Sequence, residues 1–489
     1  MRRTKGAIVA GILLLAVVPV FLTSHAIIVQ GRMRIADPMI GAPQFSKPGG
    51  VIPVLVDMQG VVDPGSWEAW LQSIDFSWAP AIPLHVDMPG LPCEGKHSLM
   101  ARVPAITLPG VYNLKVSCTS AGARISVVEP HAVCIYENLS TFRFAHLADP
   151  HVTYPDRSES MNLASPHAPE TMGDRSINDN LRMLLENISI ARPDLAIITG
   201  DIATRGLEQE FAAARNIIMV SRVPVLCTLG NHDHRSPPSF NQYLAPSYYA
   251  RVIDAWRVVC LDSGATEGNG LFGEQLQWFG EQLAQAYAVG QQVMVAMHIP
   301  STTEPVEGYT IAGNAEFRAL CHQYNVRGIF TGHHHYSDAY YDNGSQVTLP
   351  DPIPPSAGPV YIKTGSTTLG YGNGDRGVGW RYVRSWQNGS MTIGYDMAGT
   401  GTSDPLEDLP LNGLLRVDGD LHVNLTNHYR VSFTSITVPV QLPLLSTTDT
   451  FVPSEGTIIG QVRDASMAGI LLRITLPASS TKHITFART

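Results

Sequence analysis

Five short polar segments between residues 149 and 335 carry side chains that could bind metal ions. They are Asp149-Pro150-His151, Gly200-Asp201, Gly230-Asn231-His232-Asp233, His298 and Gly332-His333-His334-His335. Carboxylate and imidazole groups bind zinc, iron or manganese, and the segments contain no cysteine, which disfavours a closed structural zinc site. Two ions about 3.5–4 Å apart would stabilise the charge that develops on a phosphate ester under attack by water. The residue types therefore indicate metal-assisted hydrolysis.

Each polar segment follows a short apolar run that is typical of a buried strand. The five runs and their polar ends are FRFAHLADPH, DLAIITGD, VPVLCTLGNHD, QVMVAMHIP and VRGIFTGHHH. Helix-like stretches lie between them, and the first, SINDNLRMLLENISIA, has Ser176 as its expected N-cap. Alternating strands and helices predict a largely parallel sheet with helices on both faces. Because ligands bind beyond the carboxyl ends of such strands, we expect the polar segments to converge at one edge of the sheet.

In order and residue type, the five segments resemble the blocks of the calcineurin-like binuclear metallophosphoesterases, over roughly residues 140–397. The resemblance implies an α/β fold, built as a four-layer αββα sandwich, and two divalent or trivalent ions of manganese, iron or zinc. The implied ligands are Asp149, His151 and His335 for the first ion, Asn231, His298 and His333 for the second, and Asp201 as a bridge between the two.

The resemblance also implies which residues carry out catalysis. A metal-bridging hydroxide would attack phosphorus, and His232 would protonate the leaving oxygen. Asp233, or another carboxylate, is expected to hold the His232 tautomer and raise its pKa. His334 occupies the variable position and is expected behind the ligands or facing solvent, with a substrate contact as the alternative, while His234 is expected to be a solvated loop residue. Thr204 stands where purple acid phosphatases place a metal-binding tyrosine, which argues against a purple enzyme.

The N-terminus has the layout of an export signal. Residues 1–26 combine three early positive charges, an apolar stretch and the small residues Ser24 and Ala26 at the end, which is typical of a secretory signal peptide. The apolar residues 7–29 could instead remain as a membrane anchor. In both cases the body of the protein would lie outside the cytoplasm, where cysteines can form disulfides, and Cys93 with Cys118 is the favoured pair.

Charge restricts the kind of partner. The formal net charge is −9, and without residues 1–26 it is −12. A chain this acidic offers no general attraction for nucleic acid, so no nucleic-acid partner is expected. The expected partner is a phosphate-ester small molecule or headgroup, with membrane association through the N-terminal segment as an added possibility.

Composition divides the rest of the chain into three parts. Residues 27–139 alternate apolar and polar positions between Pro and Gly, which predicts a β-sandwich of immunoglobulin or fibronectin type. Residues 140–397 form the expected catalytic domain. Residues 398–489 are β-rich again, either as a separate small sandwich or as extra strands packed on the catalytic core.

Together these patterns predict an exported, metal-dependent phosphoesterase that hydrolyses a phosphate monoester or diester. The alternative is a non-catalytic binding or scaffold protein at the cell surface that kept the fold. Loss of ligands would mark that alternative, and here all seven ligand positions are occupied by suitable residues. The loops at residues 152–175 and 234–250 are expected to cap the site and to decide between monoester and diester.

Overall fold

The computed structural model describes residues 33–63, 65–87, 95–156, 176–264, 270–271, 273–301, 314–335, 337–347, 352–368, 379–393, 409–410, 413–429 and 431–489. The predicted signal peptide or anchor lies outside the described residues, and so does Cys93 of the predicted disulfide. Among the helices that are described, none is both long enough and apolar enough to span a membrane.

Eight strands make up the N-terminal sheet. They are β1 Met33–Asp37, β2 Gln44–Ser46, β3 Val51–Met58, β4 Glu68–Ser73, β5 Ile82–Asp87, β6 Lys96–Arg102, β7 Gly110–Ser120 and β8 Ala123–Ile135. Their order is β1-β3-β6-β5-β4-β7-β8-β2, and the sheet encloses its own hydrophobic core. In β7 the predicted alternation is confirmed, because Leu114 and Val116 are buried and Lys115 between them is exposed. The immunoglobulin or fibronectin type stays a prediction.

Within its described residues, the centre of the chain contains two six-stranded sheets and five α-helices. Their elements are β9 Thr141–Leu147, α1 Ile177–Ala191, β10 Leu195–Thr199, α2 Glu208–Ile218, β11 Val225–Thr228, α3 Pro237–Tyr243, β12 Tyr249–Ile253, β13 Trp256–Cys260, α4 Gly273–Ala288, β14 Gln292–Ala296, α5 Asn314–Gln323, β15 Gly328–Thr331, β16 Asp338–Tyr341, β17 Val360–Lys363, β18 Gly379–Trp386, β19 Met391–Ile393 and β20 Leu409–Pro410. The first central sheet has the order β11-β10-β9-β18-β19, with β20 paired to β18. The second has the order β12-β13-β14-β15-β17-β16.

The largely parallel sheet that the strand pattern predicted is divided between two mixed sheets. Parallel pairs β9-β10-β11 and β13-β14-β15-β17 lie in different sheets, and β18, β12 and β16 join these sheets antiparallel. Aromatic rings connect the two sheets, since Phe144 of β9 meets Phe330 of β15 edge-on at 4.9 Å between ring centroids. The pattern of apolar residues in the sequence indicates individual strands, but it does not indicate which strands pair. The complete four-layer order stays a prediction.

Helix α1 begins where the sequence predicts. The Ser176 hydroxyl accepts a hydrogen bond from the Asp179 amide at 3.0 Å, which satisfies one of the free amides of the first turn. The apolar residues of the helix, including Leu181, Leu184 and Ile188, are buried in the core shared with the first central sheet.

Seven strands complete the chain in two C-terminal sheets. They are β21 Leu414–Gly419, β22 His422–Asn427, β23 Phe433–Pro443, β24 Phe451–Pro453, β25 Thr457–Arg463, β26 Met467–Leu476 and β27 Ser480–Arg488. The sheets have the orders β21-β22-β27-β24 and β23-β26-β25. Their core is continuous with that of the central sheets, and the ring of Phe433 stacks on Trp380 of β18 at 6.4 Å. These strands therefore form their own sheets and also pack on the centre of the chain.

Candidate metal centre

The seven predicted ligands all lie just beyond the carboxyl ends of strands. They are Asp149 and His151 after β9, Asp201 after β10, Asn231 after β11, His298 after β14, and His333 and His335 after β15. Three of these strands belong to the first central sheet and two belong to the second. The polar side chains therefore come from the edges of two sheets, whereas the sequence pattern predicted that they would lie at the edge of one sheet.

Asp149, His151 and His335 form a first group of donor atoms within 4.8 Å of one another. His335 Nε2 lies 3.4 Å from Asp149 Oδ1 and 3.1 Å from His151 Nε2. The amide of His333 donates to both carboxylate oxygens of Asp149, at 2.9 and 3.1 Å, and fixes the orientation of that carboxylate.

Asp201, His298 and His333 form a second group with the same spacing. His298 Nε2 lies 3.3 Å from Asp201 Oδ2, 3.3 Å from His333 Nδ1 and 3.0 Å from Asn231 Oδ1. His298 is held from behind, because its Nδ1 donates to the Thr199 carbonyl at 2.9 Å.

Asp201 of the second group also faces the first group. Its Oδ2 is 3.3 Å from His298 in the second group and 3.8 Å from His151 in the first, while Oδ1 accepts the His232 amide at 2.9 Å. Ligand atoms at about 2.0–2.2 Å from an ion lie roughly 3–3.5 Å apart. His335 lies at 3.1–3.4 Å from the other two donors of the first group, and His298 lies at 3.3 Å from the other two donors of the second. The donor types and their spacing therefore fit metal ions, although the number and identity of the ions do not follow from them.

The charges around these donors suit metal binding. Burial opposes ionisation of Asp201, but His298 and His151 hold its pKa well below the usual range. Burial would lower the pKa of His298, but Asp201 and Asp149 raise it to about 10. Burial lowers the pKa of both His151 and His333 to about 4. The ionised Asp201 and the neutral rings of His151 and His333 are in the protonation state that binds metal, whereas the ring of His298 must lose a proton when an ion binds.

Backbone strain is concentrated at the same positions. Five of the ligands have a backbone φ between 48° and 72°, a left-handed conformation that residues other than glycine seldom adopt. They are Asp149, His151, Asp201, His333 and His335. Strained residues persist where the surrounding structure holds them, and such residues cluster at functional sites. The three loops that carry these five residues therefore hold them in place at a cost in backbone energy.

Two glycines allow the loops to approach closely. A Cβ atom on Gly230 would lie 2.1 Å from the Asp201 amide nitrogen, and a Cβ on Gly332 would lie 2.3 Å from Asp149 Oδ2. Neither position has room for a side chain. The glycines that precede Asn231 and His333 in the sequence are thus required by the site.

His232 lies at the side of the centre, with its Nε2 3.9 Å from Asp201 Oδ2 and its side chain 31% exposed. Its Nδ1 lies 2.5 Å from the Thr204 carbonyl oxygen, so the ring donates from Nδ1 and presents Nε2 toward the metal groups. The Thr204 hydroxyl donates in turn to the His151 carbonyl at 2.5 Å. The threonine at the position of the purple phosphatase tyrosine therefore positions two histidines.

The expected role of Asp233 is corrected by its contacts. This fully buried carboxylate accepts backbone amides of Ala203 at 2.8 Å, Gly230 at 2.9 Å and Ile202 at 3.1 Å. Burial and the nearby charge of Asp201 raise its pKa to about 7. Asp233 therefore joins the loops after β10 and β11, while a backbone carbonyl orients His232.

His234 is not the solvated loop residue that was expected. Its Nε2 lies 2.6 Å from Asp262 Oδ1, and the side chains are only 17% and 19% exposed. Burial disfavours the charged ring, but the hydrogen bond and charge of Asp262 raise the pKa of His234. The pair connects the loop after β11 in the first central sheet with the loop after β13 in the second. His334 is half-buried, with its ring 5.3 Å from the ring of His333.

A run of hydroxyl side chains after β17 holds the Asp149 loop, and sequence reasoning missed its role. Ser366 donates to the Asp149 carbonyl at 2.7 Å, Thr368 donates to the Pro150 carbonyl at 2.6 Å, and Thr367 donates to the Ala148 carbonyl at 2.7 Å. In the sequence, these small hydroxyl residues follow an apolar run that is typical of a buried strand. Such residues are common in ordinary turns, so the pattern did not indicate their role.

Comparison with known proteins supports the same chemistry. Residues 142–337 match the family model described as calcineurin-like phosphoesterase. A probable cyclic nucleotide phosphodiesterase of Vesicomyosocius okutanii is 21% identical over 220 residues, 44% of this chain and 87% of that protein. The cAMP/cGMP dual specificity phosphodiesterase of Mycobacterium tuberculosis is 28% identical over 211 residues, 39% of this chain and 61% of that protein. The glycerophosphodiester phosphodiesterase of Enterobacter lignolyticus is 27% identical over 224 residues, 42% and 76% of the two chains.

The matched residues 142–337 include every predicted ligand from Asp149 to His335. The resemblance inferred from the five polar segments is thereby confirmed at the level of the family. The chain is a phosphate-ester hydrolase with a calcineurin-like metallophosphoesterase domain at residues 142–337.

Proposed function

We propose that the protein is a phosphodiesterase with two metal ions. The first ion would be held by Asp149, His151 and His335, the second by Asn231, His298 and His333, and Asp201 would be shared. The observation that carries this proposal is the position of Asp201 Oδ2, which faces His298 of one group at 3.3 Å and His151 of the other at 3.8 Å. A carboxylate between two imidazole groups is the arrangement that keeps two cations close together.

Bound ions would supply a nucleophilic water near neutral pH and would neutralise charge on the phosphate. The protein itself supplies preorganisation. Backbone amides of His333 and His232 fix the carboxylates of Asp149 and Asp201, so little reorientation is needed when substrate binds.

His232 is proposed as the general acid. Its Nδ1 donates to the Thr204 carbonyl, which leaves Nε2 to carry the proton that is given to the leaving oxygen. Its partly exposed side chain can reach a substrate that enters from solvent.

A diester substrate is favoured over a monoester. The three relatives described above are named for phosphodiester hydrolysis, two of them for cyclic nucleotides and one for glycerophosphodiesters. We include export in the proposal because residues 1–26 have the layout of a signal peptide. The proposal also retains the four-layer order for the central sheets and their helices, and the immunoglobulin or fibronectin type for the N-terminal sheet.

Metal analysis combined with two aryl phosphate substrates tests the assignment. We expect the purified protein to hydrolyse bis(p-nitrophenyl) phosphate faster than p-nitrophenyl phosphate. Asp201→Asn should lose both metal content and turnover. His232→Ala should keep its metal and lose turnover by about 10²–10⁴-fold, the usual contribution of a general acid.

His322→Ala is the matched control, because His322 is 49% exposed and pairs with Asp342 outside the site. This variant should retain wild-type rate and metal. A metal-replete Asp201→Asn protein with full activity would contradict the shared-ligand assignment. A monoesterase with no diesterase activity would contradict the choice of substrate class.

A further inference from the structure

A polar cavity, separate from the metal centre, lies at the opposite edge of the first central sheet. This junction cavity has a volume of about 390 Å³ and is lined by residues of the N-terminal sheet, the central sheets and the C-terminal sheets. Its central residues include Arg143 near the start of β9, Asp194 before β10 and Pro224 before β11. At about 3.3 Å per residue, six residues of extended chain put Arg143 roughly 20 Å from Asp149.

The lining of the junction cavity is rich in guanidinium groups. The described lining residues include the five arginines Arg143, Arg192, Arg222, Arg384 and Arg473, and the three acidic residues Asp75, Glu137 and Asp194. Their formal charge is therefore +2, in a chain whose net charge is −9. The cavity is positively charged although the whole molecule is negatively charged, and this local positive charge favours the binding of an anion.

Three of the arginines already have carboxylate partners. Arg143 binds Asp194 at 2.8 Å, and Arg192 binds Asp75 at 2.7 Å. Arg473 binds Glu137 at 2.5 Å. These pairs account for all three acidic residues of the lining.

The remaining arginines have no carboxylate partner in the part of the chain that the structure describes. Arg384 donates from Nε to the Thr392 hydroxyl at 3.2 Å and lies 5.8 Å from the Trp386 ring centre. Arg222 is exposed and donates from Nη1 to the Ile74 carbonyl at 2.6 Å. In addition, the buried Nε of Arg192 has no hydrogen-bond partner within the described chain, although its side chain is only 10% exposed.

We infer that the junction cavity binds a phosphate-type oxyanion, either as free phosphate or as the phosphoryl group of a small organic molecule. Guanidinium groups match the oxygens of phosphate in bidentate geometry. The excess of two positive charges matches the charge of about −1.5 to −2 that a phosphate monoester carries near pH 7. The cavity is larger than phosphate alone, and Tyr136 and Trp386 in its lining offer apolar surface for an organic substituent. The inference does not depend on the proposed function, because no metal ligand lines the cavity.

Equilibrium dialysis of the full-length, metal-loaded protein with radiolabelled orthophosphate tests the inference. Wild type should bind phosphate in the junction cavity in addition to any phosphate at the metal centre. The double variant Arg222→Gln/Arg384→Gln should lose one bound phosphate per chain, or bind it at least about tenfold more weakly, since each lost charge-assisted hydrogen bond has an effect of that size. Its turnover of aryl phosphate should equal that of wild type.

Asp201→Asn provides a second measurement that does not depend on the folding of the arginine variant. It should lose phosphate at the metal centre and retain one phosphate per chain. Arg124→Gln is the matched control, because Arg124 is an exposed arginine that pairs with Glu68 away from the cavity. Displacement of the retained phosphate by phenylphosphonate would identify an organic phosphoryl ligand, and no displacement would identify free phosphate. Retention of no phosphate by Asp201→Asn, or equal binding by wild type and a folded arginine double variant, would overturn the inference.

Discussion

Replacing Asp233 by alanine tests whether this carboxylate holds two loops together or takes part in proton transfer. The change removes the acceptor for three buried backbone amides, those of Ile202, Ala203 and Gly230. Each buried donor left without a partner costs about 1–3 kcal/mol, so the expected loss is about 3–9 kcal/mol. That is a large share of the roughly 5–15 kcal/mol that stabilises a typical protein. Asp233→Asn keeps one acceptor oxygen and should lose only about 1–3 kcal/mol.

Hydrogen exchange of the peptide that spans residues 200–206 is the appropriate assay. A chain with several sheets and cores need not unfold in one step, whereas exchange reports the local opening of this loop. Protection of the Ile202 and Ala203 amides should fall most in Asp233→Ala and less in Asp233→Asn. Metal content should fall in the same order, because Asp201 lies on the released loop.

Asp156→Asn is the matched control, because Asp156 is an exposed aspartate after β9 and its replacement should change stability by less than about 0.5 kcal/mol. The pH profile of turnover separates the two roles of Asp233. If Asp233 only positions the loops, the metal-loaded Asp233→Asn enzyme should keep the wild-type profile. Unchanged amide protection in Asp233→Ala, together with a shifted pH profile in Asp233→Asn, would refute the positioning role.

Two further predictions concern the loops around the metal centre. Gly230→Ala should lose metal, because its Cβ would lie 2.1 Å from the Asp201 amide; Gly280→Ala, whose Cβ would meet Leu320 at an ordinary 3.7 Å, should keep it in the same metal analysis. A double-mutant cycle of His234→Ala and Asp262→Asn should give a coupling of about 1–2 kcal/mol. Because the folded pKa of His234 is raised, this coupling should be complete below the ordinary histidine pKa and should disappear as pH rises through the folded value; a coupling independent of pH would contradict the ion pair.

Much of the metal centre could be predicted because its signals are local in the sequence. A buried strand shows as an apolar run, and the residue that follows it lies at the sheet edge whatever the pairing of that strand. Asp149, Asp201 and His298 could therefore be placed at strand ends without knowledge of the sheets. The N-cap at Ser176 was predicted for the same reason, since a cap depends on neighbours within one turn.

Contacts between distant residues explain the errors. Asp233 stands beside His232 in the sequence, but backbone amides of a different loop surround its carboxylate. His234 found Asp262, 28 residues away, on a loop of the other sheet. The local pattern of charge or hydropathy around Asp233 and His234 does not indicate either of these partners.

The sequence by itself determined the residue types of the metal centre, the strand ends that carry them and the chemistry they favour. Only the tertiary structure decided which sheet supplies each of them, that Thr204 and Asp233 position them, and that Thr367 and its neighbours hold the loop after β9. The physical reason is the range of the interactions. Side-chain period and capping act over a few residues, whereas hydrogen bonds from the loop after β17 cross more than 200 positions to reach Asp149.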